Sequence, residues 1–265
     1  SFTCFSSKKK KKQQLGFVDR ILDYIEGGPK LRKWYGAPDL RQKQKDEAND
    51  VNEDLASDLE ETRDAVLVTD GDNEIGQSII LSLVVKRIRV KALVKDKRAA
   101  LEAFGTYVES LVGDANDKRF LKRASTGVRA VICPTAGFLS KIEDWKGIQH
   151  VILLSQLSFY RNSTGIQALV TSSSRELVEG DEDAVKNSGV PYTIIRTGNL
   201  VNSSPANQQG FSFQKGVSAQ GSLRKEDAAF ICVEALDHVP SAGLTFEVVN
   251  GGEKVSDWKT FFSTL

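Results

Sequence analysis

The sequence predicts an α/β chain with a doubly wound, mostly parallel sheet and an N-terminal helical or extended appendage. Three observations carry that prediction. From Ala65 onward short β-rich runs alternate with helical spans, the pattern of a parallel sheet with crossover helices. Val66-Leu-Val-Thr-Asp-Gly-Asp-Asn-Glu-Ile-Gly runs from a buried-type strand through a glycine-containing turn into a helix. Composition also divides the chain into a basic stretch (1–45), an acidic stretch (46–64) and a balanced remainder (65–265).

The elements follow in order. Val66–Thr69 is expected as the first strand, and Ile75–Lys86 as a helix with Ile79, Ile80 and Leu83 inward. Val90–Val94 is the second strand, Ala99–Phe104 a helix and Tyr107–Leu111 a short third strand. Lys118–Ala124 is a helix, Ala130–Cys133 the fourth strand and His150–Leu154 the fifth. A long helix lies within Ser172–Asn187. Tyr192–Ile195 is the sixth strand, Lys225–Leu236 a helix and Leu244–Val249 the last strand. Asp181, Glu182 and Asp183 on the long helix are expected to form a solvated face.

The 265 residues suffice for one core of about 200 residues plus an appendage. A formal net charge of +1 gives no reason for nucleic-acid binding in bulk. Cys4, Cys133 and Cys232 are too widely spaced for a metal site or a disulfide framework, and the last two lie in apolar runs that predict buried thiols. His150 and His238 have no neighbouring ligands, so no metal is expected. Ser155 and Ser158 lack the Gly-x-Ser-x-Gly elbow of a hydrolase. No apolar run reaches the roughly 18 residues needed to span a bilayer.

In the basic stretch, Leu15, Val18, Leu22 and Ile25 follow helical spacing, and Gly27-Gly-Pro ends that helix. It suits docking on the core or a partner subunit, or contact with an anionic membrane surface. Lys8–Lys12 and the cations around Trp34 and Tyr35 make RNA a weaker third partner, since no basic-aromatic repeat continues. Residues 46–64 read as an exposed linker. The chain starts at Ser1 and contains no methionine. A processed form is expected, with Ser1–Ser7 as the stub of a targeting peptide.

A strand–turn–helix of this kind is where a Rossmann fold holds a dinucleotide pyrophosphate, on free amides at a helix N-terminus. Gly71 and Gly76 would let the backbone approach, and Asn73 would replace a turn glycine by adopting a left-handed conformation. Asp70, Asp72 and Glu74 oppose this. One carboxylate about 4 Å from a phosphate would cost roughly 4 kcal/mol at an effective dielectric near 20. Asp70 has an alternative role in capping the following turn. The second strand ends in Lys95-Asp-Lys-Arg, and a basic residue there suits the 2′-phosphate of NADP.

With these motifs, and with Lys91-Ala-Leu-Val-Lys-Asp, Val112-Gly-Asp-Ala-Asn-Asp, Ser188-Gly-Val-Pro-Tyr-Thr-Ile-Ile-Arg-Thr-Gly-Asn-Leu and Lys225-Glu-Asp-Ala-Ala-Phe-Ile-Cys, residues 65–265 resemble the atypical short-chain dehydrogenase/reductases of the NmrA-like type. The N-terminal Gly27-Gly-Pro-Lys-Leu-Arg-Lys-Trp-Tyr-Gly-Ala-Pro-Asp is similar to plastid members related to an inner-envelope translocon component. The resemblance implies an NADP(H) site at Thr69, Gly71, Asn73, Ile75, Gly76, Lys95, Asp114, Ala115, Pro134 and Ser155. Active members pair a tyrosine with a lysine four residues later, which supports proton transfer. Here Tyr160 is followed by Thr164, and Tyr192 with Arg196 lies in a structural motif. The implied protein is catalytically degenerate and binds NADP(H) weakly or not at all. It would serve as a subunit, assembly factor or redox-sensing scaffold of a larger chloroplast complex, in the stroma or on thylakoid or envelope membranes. An NADPH-dependent reductase with a non-standard proton donor is the alternative.

Overall fold

Ala65-Val-Leu-Val forms the first strand, β1 (Ala65–Val68), and all four residues are buried. That burial suits a parallel strand covered on both faces. The computed structural model describes residues 63–161, 164–203, 210–214 and 221–265. In it β1 is followed by β2 (Val90–Leu93), β3 (Val108–Leu111), β4 (Val128–Cys133), β5 (His150–Ser155), β6 (Tyr192–Thr197), β7 (Asn199–Val201), β8 (Gly210–Gln214), β9 (Ser222–Arg224) and β10 (Gly243–Gly251). Eight of these form one sheet in the order β3-β2-β1-β4-β5-β6-β10-β8, while β7 and β9 pair separately. Neighbours in the large sheet run parallel except β8, which lies antiparallel on β10. The order reverses direction between β1 and β4, and ligands bind at such a switch point beyond the carboxyl ends of the strands.

The helices are α1 (Glu74–Val85), α2 (Lys97–Phe104), α3 (Lys118–Ser125), α4 (Leu157–Arg161), α5 (Ile166–Val170), α6 (Ser172–Asn187), α7 (Lys225–Ala235) and α8 (Trp258–Thr264). Four begin on a side-chain cap, at Asn73, Asp96, Asp117 and Asp257. Each oxygen there satisfies an amide that the first turn leaves unpaired. α2 ends at Gly105, whose φ of 62° requires a residue without Cβ strain. The helices α1 and α7 pack against each other. Ala65, Leu67 and Val131 of the sheet pack with Phe120 and Ala124 of α3, Leu139, and Val185 of α6.

The predicted elements are present with ends shifted by a residue or two. Sequence periodicity missed α4, α5, α8 and β7–β9. The far sheet edge is held by an aromatic cluster, with Phe213 4.3 Å from Phe261 and Phe211 5.5 Å from Trp258 between ring centres. The N-terminal helix, the basic runs, the targeting stub and the linker up to residue 62 lie outside the described residues.

Of the solvated face expected on α6, Asp183 is exposed, but Asp181 and Glu182 are not. Asp181 and Glu182 are 0% and 1% exposed. They stand three and four residues after Val178 and so share its inward face. Asp181 accepts from the amides of Gly137 (2.7 Å), Phe138 (3.2 Å) and Ser140 (2.8 Å), tying down the connection after β4. Glu182 accepts from Ser155 (2.7 Å), Lys186 (2.9 Å) and Arg196. Burial alone would raise its pKa. The hydrogen bonds from Arg196, Lys186 and Ser155 outweigh burial and hold it at about 2.

Candidate functional site

The turn from β1 to α1 is built by close packing. The Gly71 amide donates to the Leu93 carbonyl at 2.8 Å, seating the turn on the end of β2. A Cβ at Gly71 would lie 2.9 Å from Val94 Cγ1, and one at Gly76 would lie 1.7 Å from the Asp70 carbonyl oxygen. Both glycines are therefore required by the chain's own packing. Thr69 lies beneath them, its hydroxyl donating to Cys133 Sγ at 3.2 Å. Asn73 differs from expectation. Its φ of −73° and ψ of 146° are extended, not left-handed. Its side-chain oxygen accepts from the Ile75 amide at 2.9 Å, so it serves as the helix cap.

Each acid of the turn has a partner. Asp70 accepts from the Asn73 amide at 3.3 Å and from the Thr135 hydroxyl at 2.9 Å. Asp72 reaches sideways to the Lys95 amide at 2.8 Å. Glu74 forms an ion pair with Lys225 at 2.5 Å. The turn-capping role of Asp70 is thus observed, and the charges are not stacked over one point. Two amides that could receive an anion, those of Asn73 and Ile75, already donate to the protein's own oxygens. The amides of Glu74 and Gly76 have no protein acceptor among the described residues.

Beside this turn a cleft of about 660 Å³ opens at the carboxyl ends of β1, β4 and β5. Asn73, Ile75 and Pro134 line it, as do Thr135, Tyr160, Leu177 and Lys225. The volume is ordinary for a cofactor or small-molecule site. Lys95 is exposed at the end of β2 and, among the described residues, has no ion pair. Asp114 is exposed after β3, capping the Asn116 amide at 2.8 Å, with Ala115 half-buried next to it. These residues do not line the cleft and mark the sheet edge beside β2. Ser155 is fully buried, its hydroxyl turned to Glu182, and it is not on the cleft wall.

Lys225 is the site residue the sequence did not single out. It opens α7, some 150 positions beyond Glu74, and only the packing of α7 on α1 brings the two together. Cys133 and Cys232 are buried as expected, and burial raises both thiols, Cys232 to about 12. Neither is a nucleophile at neutral pH. Among the described residues no His, Cys, Asp and Glu group could hold a metal ion.

The cleft at the switch point, two amides without a protein acceptor at a helix start and a lysine at the end of β2 without an ion pair among the described residues fit a nicotinamide dinucleotide, with Asp70 in the turn and Asp72 and Glu74 on the cleft wall as opposing charges. Comparison with known proteins agrees with that fit. In Streptomyces griseus, (4-alkanoyl-5-oxo-2,5-dihydrofuran-3-yl)methyl phosphate reductase is 26% identical over 182 residues, 65% of this chain and 59% of that protein. The chain therefore spans under two thirds of the length of this curated relative. Among solved structures, the anaerobillin reductase ChuY of Escherichia coli O157:H7 superposes with a TM-score of 0.63 at 16% identity, over 72% of this chain and 100% of that one. An oxidoreductase of Lactococcus lactis gives 0.61 at 17%, over 76% and 96%. A short-chain dehydrogenase/reductase of Veillonella parvula, solved in complex with NADP, gives 0.58 at 14%, over 73% and 99%. At these identities the structures bear on the fold alone. Residues 71–239 match the pattern of the NAD(P)H-binding family, and with more than half of its length covered the chain belongs to that family.

Proposed function

We propose that this protein recognises NADP(H) as a weakly held regulatory ligand and does not use it for rapid turnover. One observation carries the reading: the Asp70 carboxylate sits on the Asn73 amide, where the turn would otherwise receive a phosphate. The missing lysine four residues after Tyr160 supports it from the side of catalysis. In the bound state the pyrophosphate would take the amides of Glu74 and Gly76, and Lys95 the 2′-phosphate. Asp114 and Ala115 would lie along the adenosine, and Pro134 and Thr135 beside the nicotinamide. Ser155 would act from behind the wall, by holding Glu182. A bound reduced nicotinamide supplies hydride, and the chain's own part would be to orient it and exclude water.

Service as a subunit, assembly factor or redox-sensing scaffold in a chloroplast complex belongs to the same proposal, with peripheral membrane contact through the helix that the sequence predicts within residues 1–45. Its support is the resemblance of the sequence to plastid members. Co-purification of tagged protein from intact plastids, with and without residues 1–45, tests it. A partner lost on truncation is expected, and recovery of a lone monomer from both forms would refute it.

A second reading, an NADPH-dependent reductase, is favoured by the presence of Tyr160 and Lys225 in one cleft. Tyr160 would donate the proton that accompanies hydride transfer to a carbonyl. Calorimetry with NADPH and NADH, followed by a cofactor-oxidation assay over a panel of carbonyl substrates, separates the readings. Weak binding that prefers NADPH, lost in Lys95→Glu, without oxidation is expected from the first. Rapid oxidation abolished by Tyr160→Phe would establish the second.

A further inference from the structure

We propose that a second pocket, on the face of the sheet covered by α3, binds a small apolar anion of the aromatic carboxylate class. This proposal does not rest on the dinucleotide reading. The pocket exists because of how β4 is joined to β5. Parallel neighbours are usually joined by a crossover helix. Here the connection holds a single short turn of helix, Leu139–Lys141, and otherwise irregular chain. Side chains that a crossover helix would supply are missing beside α3. The resulting cavity is about 180 Å³.

Its interior is apolar. Leu67 and Val131 of the sheet, Leu121 and Ala124 of α3, and Phe138 and Ile148 of the connection line it. An apolar cavity of about 150 Å³ stays dry and accepts a single benzene ring. The size of this one suits an aromatic ring and little more.

The mouth is charged. Lys118, Lys122 and Lys141 stand there with Glu143 and Asp144. Lys118 is held by Glu143 at 2.8 Å, and Asp144 caps the Lys146 amide at 2.9 Å. Lys122 and Lys141 are exposed and, among the described residues, form no ion pair. A ring-sized apolar interior under two ammonium groups without ion pairs among the described residues selects a ligand with an aromatic body and one carboxylate. The body gains from leaving water, and the charge stays at the lip where it need not be desolvated.

Benzoate is the probe, followed by methyl resonances of the full chain. Saturable shifts at Leu67, Val131 and Ile148 are expected, with Ile75 and Leu177 of the other cleft unmoved. Benzylamine, the same ring with reversed charge, should not produce them. The Lys122→Gln/Lys141→Gln variant changes only exposed residues and should keep the native spectrum while weakening benzoate about tenfold. Absence of shifts at millimolar benzoate would overturn the proposal, as would equal binding of benzylamine or undiminished binding by the double variant. Failure of NADPH to bind would leave these outcomes unaffected.

Discussion

Replacing Asp70 with asparagine should tighten NADPH binding on the order of a hundredfold. Asp70 Oδ1 lies 3.3 Å from the Asn73 nitrogen. A phosphate held instead on the neighbouring amides of Glu74 and Gly76 would stand on the order of 5 Å from that carboxylate. At an effective dielectric near 20 their repulsion is about 3 kcal/mol. Each 1.4 kcal/mol is about tenfold in Kd, so removing the charge gains roughly two orders of magnitude. Asparagine is the right probe because it retains the shape and an oxygen for the Asn73 amide. Its amino group can face the Thr135 hydroxyl, which accepts as well as donates. The assay is a fluorescence or calorimetric titration of both proteins with NADPH at fixed ionic strength, with thermal melts to show that the fold is kept. A Kd within twofold of the parent in a folded variant would refute the claim that Asp70 governs affinity.

Three further outcomes follow from the packing and the buried charges. Gly76→Ala should destabilise the protein by more than about 4 kcal/mol in urea denaturation, since its Cβ would overlap the Asp70 carbonyl. Gly252→Ala, with nothing within 4 Å of the new carbon, should change stability by less than about 0.5 kcal/mol. Stability should fall in two stages on acidification. Burial lowers His150 from 6.5 to about 4, so the fold favours the neutral ring and loses about 3 kcal/mol as pH falls from about 6.5 to about 4. Glu182 is depressed from 4.5 to about 2, so its contribution is complete above about 4.5 and is lost toward about 2. Urea midpoints measured against pH should show both limbs, and Glu182→Gln should lack the lower one. Asp181→Ala should cost about 3 kcal/mol or more, because three backbone amides lose their acceptor. Asp181→Asn should recover part of that loss, and an unchanged melting temperature for the alanine variant would show those bonds to be unimportant.

Most of the central sheet could be read from the chain because β1 is wholly apolar and β4 and β5 carry the apolar runs 130–133 and 151–154, and a strand buried on both faces has little other way to be written. The caps at Asn73, Asp96 and Asp117 are as local, each oxygen reaching an amide two residues on, yet none is assigned from the sequence, where Asn73 is expected to be left-handed. The elements that escaped, such as α5 and β8, are five residues long and have too few positions to show a period. Asp181 and Glu182 escaped for a different reason. Consecutive acids on a helix are ordinarily exposed, and only partners on the connection after β4, on β5 and on β6 make their burial tolerable.

The order of residues by itself determined where strands turn into helices, and that a glycine-bearing turn stands at the head of α1. Local geometry and hydrophobic period act over a few positions, so they can be read along the chain. Tertiary structure alone decided which way the three acids of that turn face, that Lys225 meets Glu74, and that Ser155 looks inward to Glu182. Those choices depend on atoms brought together from distant segments. A charge is settled by its nearest partner in space, and sequence distance says nothing of that partner.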